Sequence, residues 1–379
     1  MELHNTLDSS VMMHRVRPRS EDVRGAYFRD TTAIMHSSPF RRLKHKTQVF
    51  FAPSNDHICT RIEHSLHVAS IASAICRGLG LDGELAWAIG MGHDLGHAPF
   101  GHTGEKIISQ MMQEKGLGAF QHEVFSLRVV DKLYPLDLTY AVRDGIVCHC
   151  GEHFVRSLMP EGKEKDLDAI KTIHGLIPAT WEGCVVRFSD QIAYLGRDFE
   201  DACRMGVLRR EDLPAEVSGV LGRTNGEIIN SLVNDLIANT NENDGLCFSE
   251  PVYAAVRQMK EFNYQKIYRS SLMEGYERYF SRLIRLIVGY LDDLFGRFGF
   301  DERPYREEKN MLATGFCRHI NEDRQRYLDN DGNFERLVFD YTAGMTDNFC
   351  LDCAGEILTP EHINESMEKM AAGKWFDTV

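Results

Sequence analysis

His93-Asp94-Leu95-Gly96-His97-Ala98-Pro99-Phe100-Gly101-His102-Thr103-Gly104-Glu105 sets three histidines and two carboxylates among three glycines and a proline. Gly and Pro cost about 1 and 3 kcal/mol in a helix interior relative to Ala, so the stretch breaks a helix rather than continuing one. Its polar residues are metal-ligand and proton-transfer types. Before it, Glu84 to Gly92 reads as an apolar helix running into the His93-Asp94 pair. Neutral imidazole and ionised carboxylate both bind borderline divalent cations, and the carboxylate offsets the ion's charge. Neighbours on a regular helix point about 100° apart, so the pair shares one ion only where the backbone bends.

Working outward, helical spacing dominates. Leu66, Ala69, Ile71, Ala72 and Ile75 make one apolar face after His64, and Val124, Leu127, Val130 and Leu133 make another that Pro135 closes. Segments 139–149, 181–203, 226–239, 252–262 and 264–297 read the same way, and Thr359-Pro360-Glu361 reads as a helix start. Strand-like alternation is scarce, so one small β-hairpin near residues 47–60 is the only sheet expected. Loops are expected at 52–58, 113–121, 158–168 and 240–250. No repeat, low-complexity tract or long linker divides the chain. The expectation is one large all-α unit over 1–379. Its metal-binding core spans about 40–205, and a C-terminal helical part, about 206–379, packs on it.

The bulk numbers exclude several classes. The chain has 379 residues, 43% of them hydrophobic, so a large core is expected rather than disorder. A net charge of −13 argues against binding nucleic acid over the whole surface. No apolar run is long enough to span a bilayer, and no N-terminal stretch has a signal-peptide core. A cytoplasmic chain without membrane contact is expected. Ten scattered cysteines read as reduced thiols. Two clusters stand out, Cys148-His149-Cys150 with His153, and Cys350-Leu351-Asp352-Cys353. Nothing in the sequence brings them together, so they read as thiols rather than a structural zinc site.

A four-ligand set can be assembled from His64, His93, Asp94 and Asp190. Asp190 lies between Phe188 and Ile192 on an apolar helix, where a lone carboxylate is costly unless paired or metal-bound. Two His and two Asp suit one divalent ion of Mn, Mg, Fe, Co, Ni or Zn. The order H…HD…D on helices resembles the HD superfamily of metal-dependent phosphohydrolases. Residues Arg41 to Phe50, Arg61 to Leu66, the opening stretch, the four-residue steps Asp190, Tyr194 and Asp198, and Tyr341 to Asp347 resemble the deoxynucleotide triphosphohydrolase (dGTPase) family.

That resemblance implies roles by position. His64, His93, Asp94 and Asp190 match the metal ligands. His102 and Glu105 match a catalytic His–carboxylate pair, and His122 a second active-site histidine. Arg61 matches a phosphate contact, and Gln48, Tyr194 and Asp198 match residues that recognise the sugar. It implies cleavage of a dNTP, dGTP first, to deoxynucleoside and inorganic triphosphate. It also implies a homo-oligomer, tetramer or hexamer, and control by an activating dNTP or single-stranded DNA at a second site. Residue types agree: Arg61, Lys44, Lys46 and Arg197 offer positive charge for a triphosphate, and His102 with Glu105 forms an orienter–base pair. One departure is Phe120-Gln121-His122-Glu123, where dGTPase-type chains often carry an Asn-containing motif, so base preference stays open. Competing readings are another HD phosphohydrolase, a nucleotidase or phosphodiesterase, and a nucleotide- or single-strand-binding regulator using the same pocket.

Overall fold

The computed structural model describes residues 3–17, 20, 22–51, 55–151, 154–329 and 334–359. They form a helical fold, as expected, with one connected hydrophobic core that draws on residues from Leu3 to Ala354. Three helices carry the centre. Arg61–Leu79 starts where the Thr60 amide donates to the Glu63 carboxylate at 2.8 Å, a capping-box contact that satisfies an otherwise orphan donor. Gly83–Gly92 is capped by Asp82, whose carboxylate accepts from the Glu84 amide at 2.8 Å. Trp181–Arg204 is capped by Thr180 and packs, with Gly83–Gly92, against Arg61–Leu79. Around them lie Gly101–Glu114, His122–Arg128 and Tyr140–Val147. The long Ser271–Phe298 helix packs against Gly101–Glu114, joining the C-terminal part to the opening stretch.

The expected hairpin near 47–60 is corrected. There the described residues make only an isolated antiparallel bridge, Thr47 to Thr60. A two-stranded antiparallel sheet forms elsewhere, between Ser157–Leu158 and Leu246–Cys247. Alternation over Thr47–Phe51 misled because Phe50 is buried by packing in a small satellite cluster with Ile58, Ala202 and Ile267, not by a strand partner. The 264–297 segment is also divided. A wide turn over Tyr264–Tyr268 ends the Glu250–Asn263 helix, and Ser270 caps a new one from Ser271. The apolar spacing crosses this break because both pieces face the same core. The helix start at Thr359-Pro360-Glu361 and the residue His153 lie outside the described residues, although Thr359 itself closes the Asp347–Leu358 helix.

The opening stretch is held rather than floppy. Phe100 adopts a left-handed φ of 62°, a strained value for a residue with a Cβ. Its ring stacks on Phe280 at 4.0 Å, and its amide donates to Asp347 Oδ1 at 2.8 Å. Gly104 passes so close to Pro99 that a Cβ would sit 1.8 Å from the Pro99 carbonyl oxygen. Lys46 is buried and donates its amine to the His97 and Ala343 carbonyls. Asp347 also accepts the Thr47 amide at 2.8 Å. Two residues, Lys46 from before the turn and Asp347 from far after it, thus pin the turn from beneath.

Candidate active site

His64, His93, Asp94 and Asp190 converge from the three central helices. His64 Nε2 lies 2.9 Å from Asp190 Oδ1. His93 Nε2 lies 3.6 Å from Asp94 Oδ1 and 3.9 Å from Asp190 Oδ1. His93 closes its helix by donating Nδ1 to the Gly90 carbonyl at 2.7 Å, using a carbonyl that the helix end leaves unpaired. A carbonyl only accepts, so that ring's Nε2 is the bare nitrogen, and it is buried with no hydrogen-bond partner. An orphaned imidazole lone pair facing two carboxylates is the donor set a divalent ion takes, so these residues fit one. Burial pushes Asp94 up, but His93 and Arg61 outweigh it and hold its carboxyl well below the usual range. Asp190 is likewise lowered: burial opposes, and the hydrogen bond and charge of His64 prevail.

Arg61 is 1% exposed, and its Nη1 pairs with Asp94 Oδ2 at 2.5 Å. Its other amine reaches the Gln48 carbonyl at 3.4 Å. The sequence suggests a phosphate contact there; the structure shows a guanidinium already engaged with the metal-side carboxylate, at the wall of the cleft.

Beyond the turn, Glu105 joins two histidines. It lies 3.1 Å from His102 Nδ1, accepts the His122 amide at 2.8 Å, and takes His122 Nδ1 at 3.0 Å. Burial would raise Glu105, but His122 and both hydrogen bonds hold it well below the usual carboxylate range. Burial would lower His122, but Glu105 and Glu123 raise it well above ordinary histidine. His102 is 72% exposed and opens onto the cleft, whereas His122 is buried, with Nε2 3.9 Å from Asp94 Oδ1. His97, for which sequence reading finds no role, is buried and stacks on His122 at 4.3 Å. Burial, then Arg61 and His122, push it well below ordinary histidine, so it packs as a neutral ring.

Of these groups, Arg61, His64, Asp94, Asp190, His97, His102 and His122 line one cleft of about 1660 Å³. Gln48, Tyr194 and Asp198 line it too, and Gln48 Oε1 is buried without a partner. Asp198 accepts from Tyr268 Oη at 2.5 Å, and burial pushes its carboxyl up to about 7. Lys44 and Arg197 do not line the cleft, and Lys46 lies beneath the turn. The cations facing it instead include Lys106, Arg257, Lys260 and Arg269. Arg257 and Lys260 stand on the Glu250–Asn263 helix, and Arg269 lies in the break that follows it, which periodicity alone does not reveal. His149 and Cys150 also line the cleft and were missed as site residues. The signal was the Cys-His-Cys cluster itself. Cys350 and Cys353 do not join them among the described metal-capable groups.

Comparison with known proteins follows the same division. The HD domain family matches residues 61–172, and the phosphohydrolase-associated domain family matches residues 246–356. A protein of Caldanaerobacter subterraneus named deoxyguanosinetriphosphate triphosphohydrolase-like is 37% identical over 353 residues, covering 91% of this chain and 89% of the relative. The chain belongs to this HD-domain phosphohydrolase family. Relatives with the same name in Clostridium tetani and Desulfatibacillum aliphaticivorans are 32% and 33% identical, covering 91% of this chain and 89% and 91% of theirs. HD domains of this family bind divalent metals, and His64, His93 and Asp94 form one of the groups here able to hold one. No helix among the described residues is long and apolar enough to cross a membrane.

Proposed function

We propose that the chain is a metal-dependent dNTP triphosphohydrolase, with dGTP the first substrate to test. The observation that supports it most is Glu105 shared between His102 and His122, beside the His/Asp cluster in one cleft. The names of the relatives favour dGTP. His64, His93, Asp94 and Asp190 would hold the ion, which would polarise the α-phosphate. Arg61 keeps Asp94 ionised and in place. Water attacks the α-phosphorus and releases its proton to solvent, the bond to the 5′-oxygen breaks, and that oxygen takes a proton. His102 donates it, since its Nδ1 is engaged by Glu105 and its ring opens onto the cleft. His122 holds Glu105 from the other side and adds positive charge near the reacting phosphate. Gln48, Tyr194 and Asp198 take the sugar, with Asp198 accepting from the 3′-hydroxyl. Lys106, Lys260 and Arg269 face the rest of the nucleotide.

The chain acts as one unit, with the HD part over about 40–205 and the remainder supplying the far wall. We place it in the cytoplasm as a homo-oligomer, with a second nucleotide or single-stranded DNA as regulator. Purified protein is incubated with each dNTP and Mn²⁺ or Mg²⁺, and the products are resolved. Deoxynucleoside and tripolyphosphate are expected in equal amounts. Orthophosphate or pyrophosphate would overturn attack at the α-phosphorus. A salt-sensitive shift of single-stranded DNA with no turnover of any dNTP would replace the enzyme with a binding regulator.

A further inference from the structure

The Trp181–Arg204 helix meets the Glu250–Asn263 helix, and the wide turn after it, along one edge of the cleft. Three side-chain contacts climb this seam. Lys260 Nζ donates to Gln191 Oε1 at 3.3 Å, Asn263 Nδ2 to the Leu195 carbonyl at 3.0 Å, and Tyr268 Oη to Asp198 Oδ2 at 2.5 Å. Residues 191, 195 and 198 are spaced by four and three, so they form one stripe of their helix. The stripe ends on Asp198, one of the residues assigned above to the sugar.

A regular helix would not make the last two contacts together. At about 100° per residue, the five steps from Asn263 to Tyr268 would leave Tyr268 about 140° round from Asn263. The wide turn bonds residue i to residue i+5 instead, as the Arg269 amide does on the Tyr264 carbonyl at 3.1 Å. Residue i+5 thus comes back over residue i, and Tyr268 follows Asn263 onto the side that faces Asp198. Asn263 is where the regular helix ends and the wide turn begins, so fixing it fixes the start of the turn. It is 1% exposed, and its Oδ1 is buried with no hydrogen-bond partner among the described residues. An unpaired buried amide oxygen costs stability, and a leucine of similar size would fill the space without that cost. What the side chain contributes is its donor to Leu195, not its burial.

We propose that Asn263 is a positioning residue for sugar recognition. Its amide anchors the wide turn to the Leu195 carbonyl. Tyr268, carried by that turn, engages Asp198 Oδ2 and fixes the rotation of the carboxylate, with Oδ1 as acceptor for the 3′-hydroxyl. Asn263 touches no substrate atom and acts only through Tyr268 and Asp198. This role rests on the sugar assignment of Asp198 made above.

The test uses the full-length chain with the metal that supports turnover. It compares the dNTP hydrolysed best with the 2′,3′-dideoxy analogue of the same base. In the parent, kcat/KM is expected to favour the substrate that carries the 3′-hydroxyl. Asn263→Leu should lower kcat/KM for that substrate by about three- to tenfold, the range of one hydrogen bond, mainly through KM. The dideoxy analogue should be unaffected. Tyr268→Phe should shift the preference in the same direction, and the double variant should lose no more than the larger single loss, because the two residues act in series. Asn263→Gln, which keeps a donor, should recover part of the preference. Circular dichroism checks folding, and Asn263→Ala, which also lacks the donor, replaces Asn263→Leu if that variant does not fold. Equal losses on both substrates, or additive losses in the double variant, overturn the proposal. A parent that turns over dNTP but is indifferent to the 3′-hydroxyl overturns the sugar role of Asp198 and this proposal with it. No turnover of any dNTP by the parent overturns the function proposed above.

Discussion

The two sides of the cleft are built on different terms. On one side, His64, His93, Asp94 and Asp190 stand on three mutually packed helices, nearly or fully buried, with Arg61 paired to Asp94. On the other, His102 stands mostly in the open at the start of Gly101–Glu114, tied to the rest through Glu105. A cluster of carboxylates and bare imidazoles must be held rigidly, because burying charge is tolerable only with every partner in place. A group that passes a proton to a substrate must reach it, and it relies on one orienting bond rather than on burial. On the function proposed above, the difference separates holding an ion from moving a proton, and it can be tested one side at a time.

The largest effect is expected from His93→Ala. It removes the orphaned Nε2 and should abolish both bound metal, read by elemental analysis, and turnover. Full activity in that variant would break the division at its buried side. Next comes His102→Gln, expected to lower kcat by about 10²–10⁴-fold while metal content stays unchanged. Loss of metal along with activity would show that the two sides are one structure. Gly104→Ala should destabilise the fold by about 1–3 kcal/mol, because a Cβ meets the Pro99 carbonyl oxygen. Denaturant unfolding reads it, and an unchanged midpoint would show that the turn is free to relax.

The smallest effect concerns Lys46, beneath the same turn. Burial pushes its amine from 10.5 down to about 7. The folded chain therefore binds fewer protons than the unfolded chain between those values, so this group's stability contribution grows as pH rises from about 7 toward 10.5. It is fully present above the unfolded value and lost as pH falls through about 7. Lys46→Met should flatten that slope in melting curves recorded from pH 7 to 10. A parallel slope in both proteins would place its origin elsewhere.

Much of this was legible in the sequence, and what was hidden was hidden for physical reasons. Helical spacing identifies Arg61–Leu79 and Trp181–Arg204 because each shows one apolar face to the core. The order of His64, His93-Asp94 and Asp190 is legible through its resemblance to the HD arrangement, since spacing alone does not bring those four residues together. The Thr47–Phe51 alternation misleads, since burial by a satellite cluster looks like burial by a strand. The break before Ser271 is masked because the apolar stripe continues across it. In the sequence, Lys46 and Asp347 read as a cation for a triphosphate and the end of a motif. Their contacts cross 297 and 300 residues of chain, to Ala343 and Thr47, and no local pattern carries such a pairing. His149 escapes notice because its partner His122 lies 27 residues away and its neighbours suggest cysteine chemistry.

The pinning of the turn by Lys46 and Asp347 bears on how such a protein can be divided or recombined. The stretch matched as HD domain, residues 61–172, includes neither of those residues and stops short of Asp190. Grafted into another scaffold, it would bring His64, His93 and Asp94 without their fourth companion and without the two clamps that hold Phe100 in its left-handed turn. The piece that is recognised by similarity is thus smaller than the piece that can be inherited, swapped or engineered as a working part.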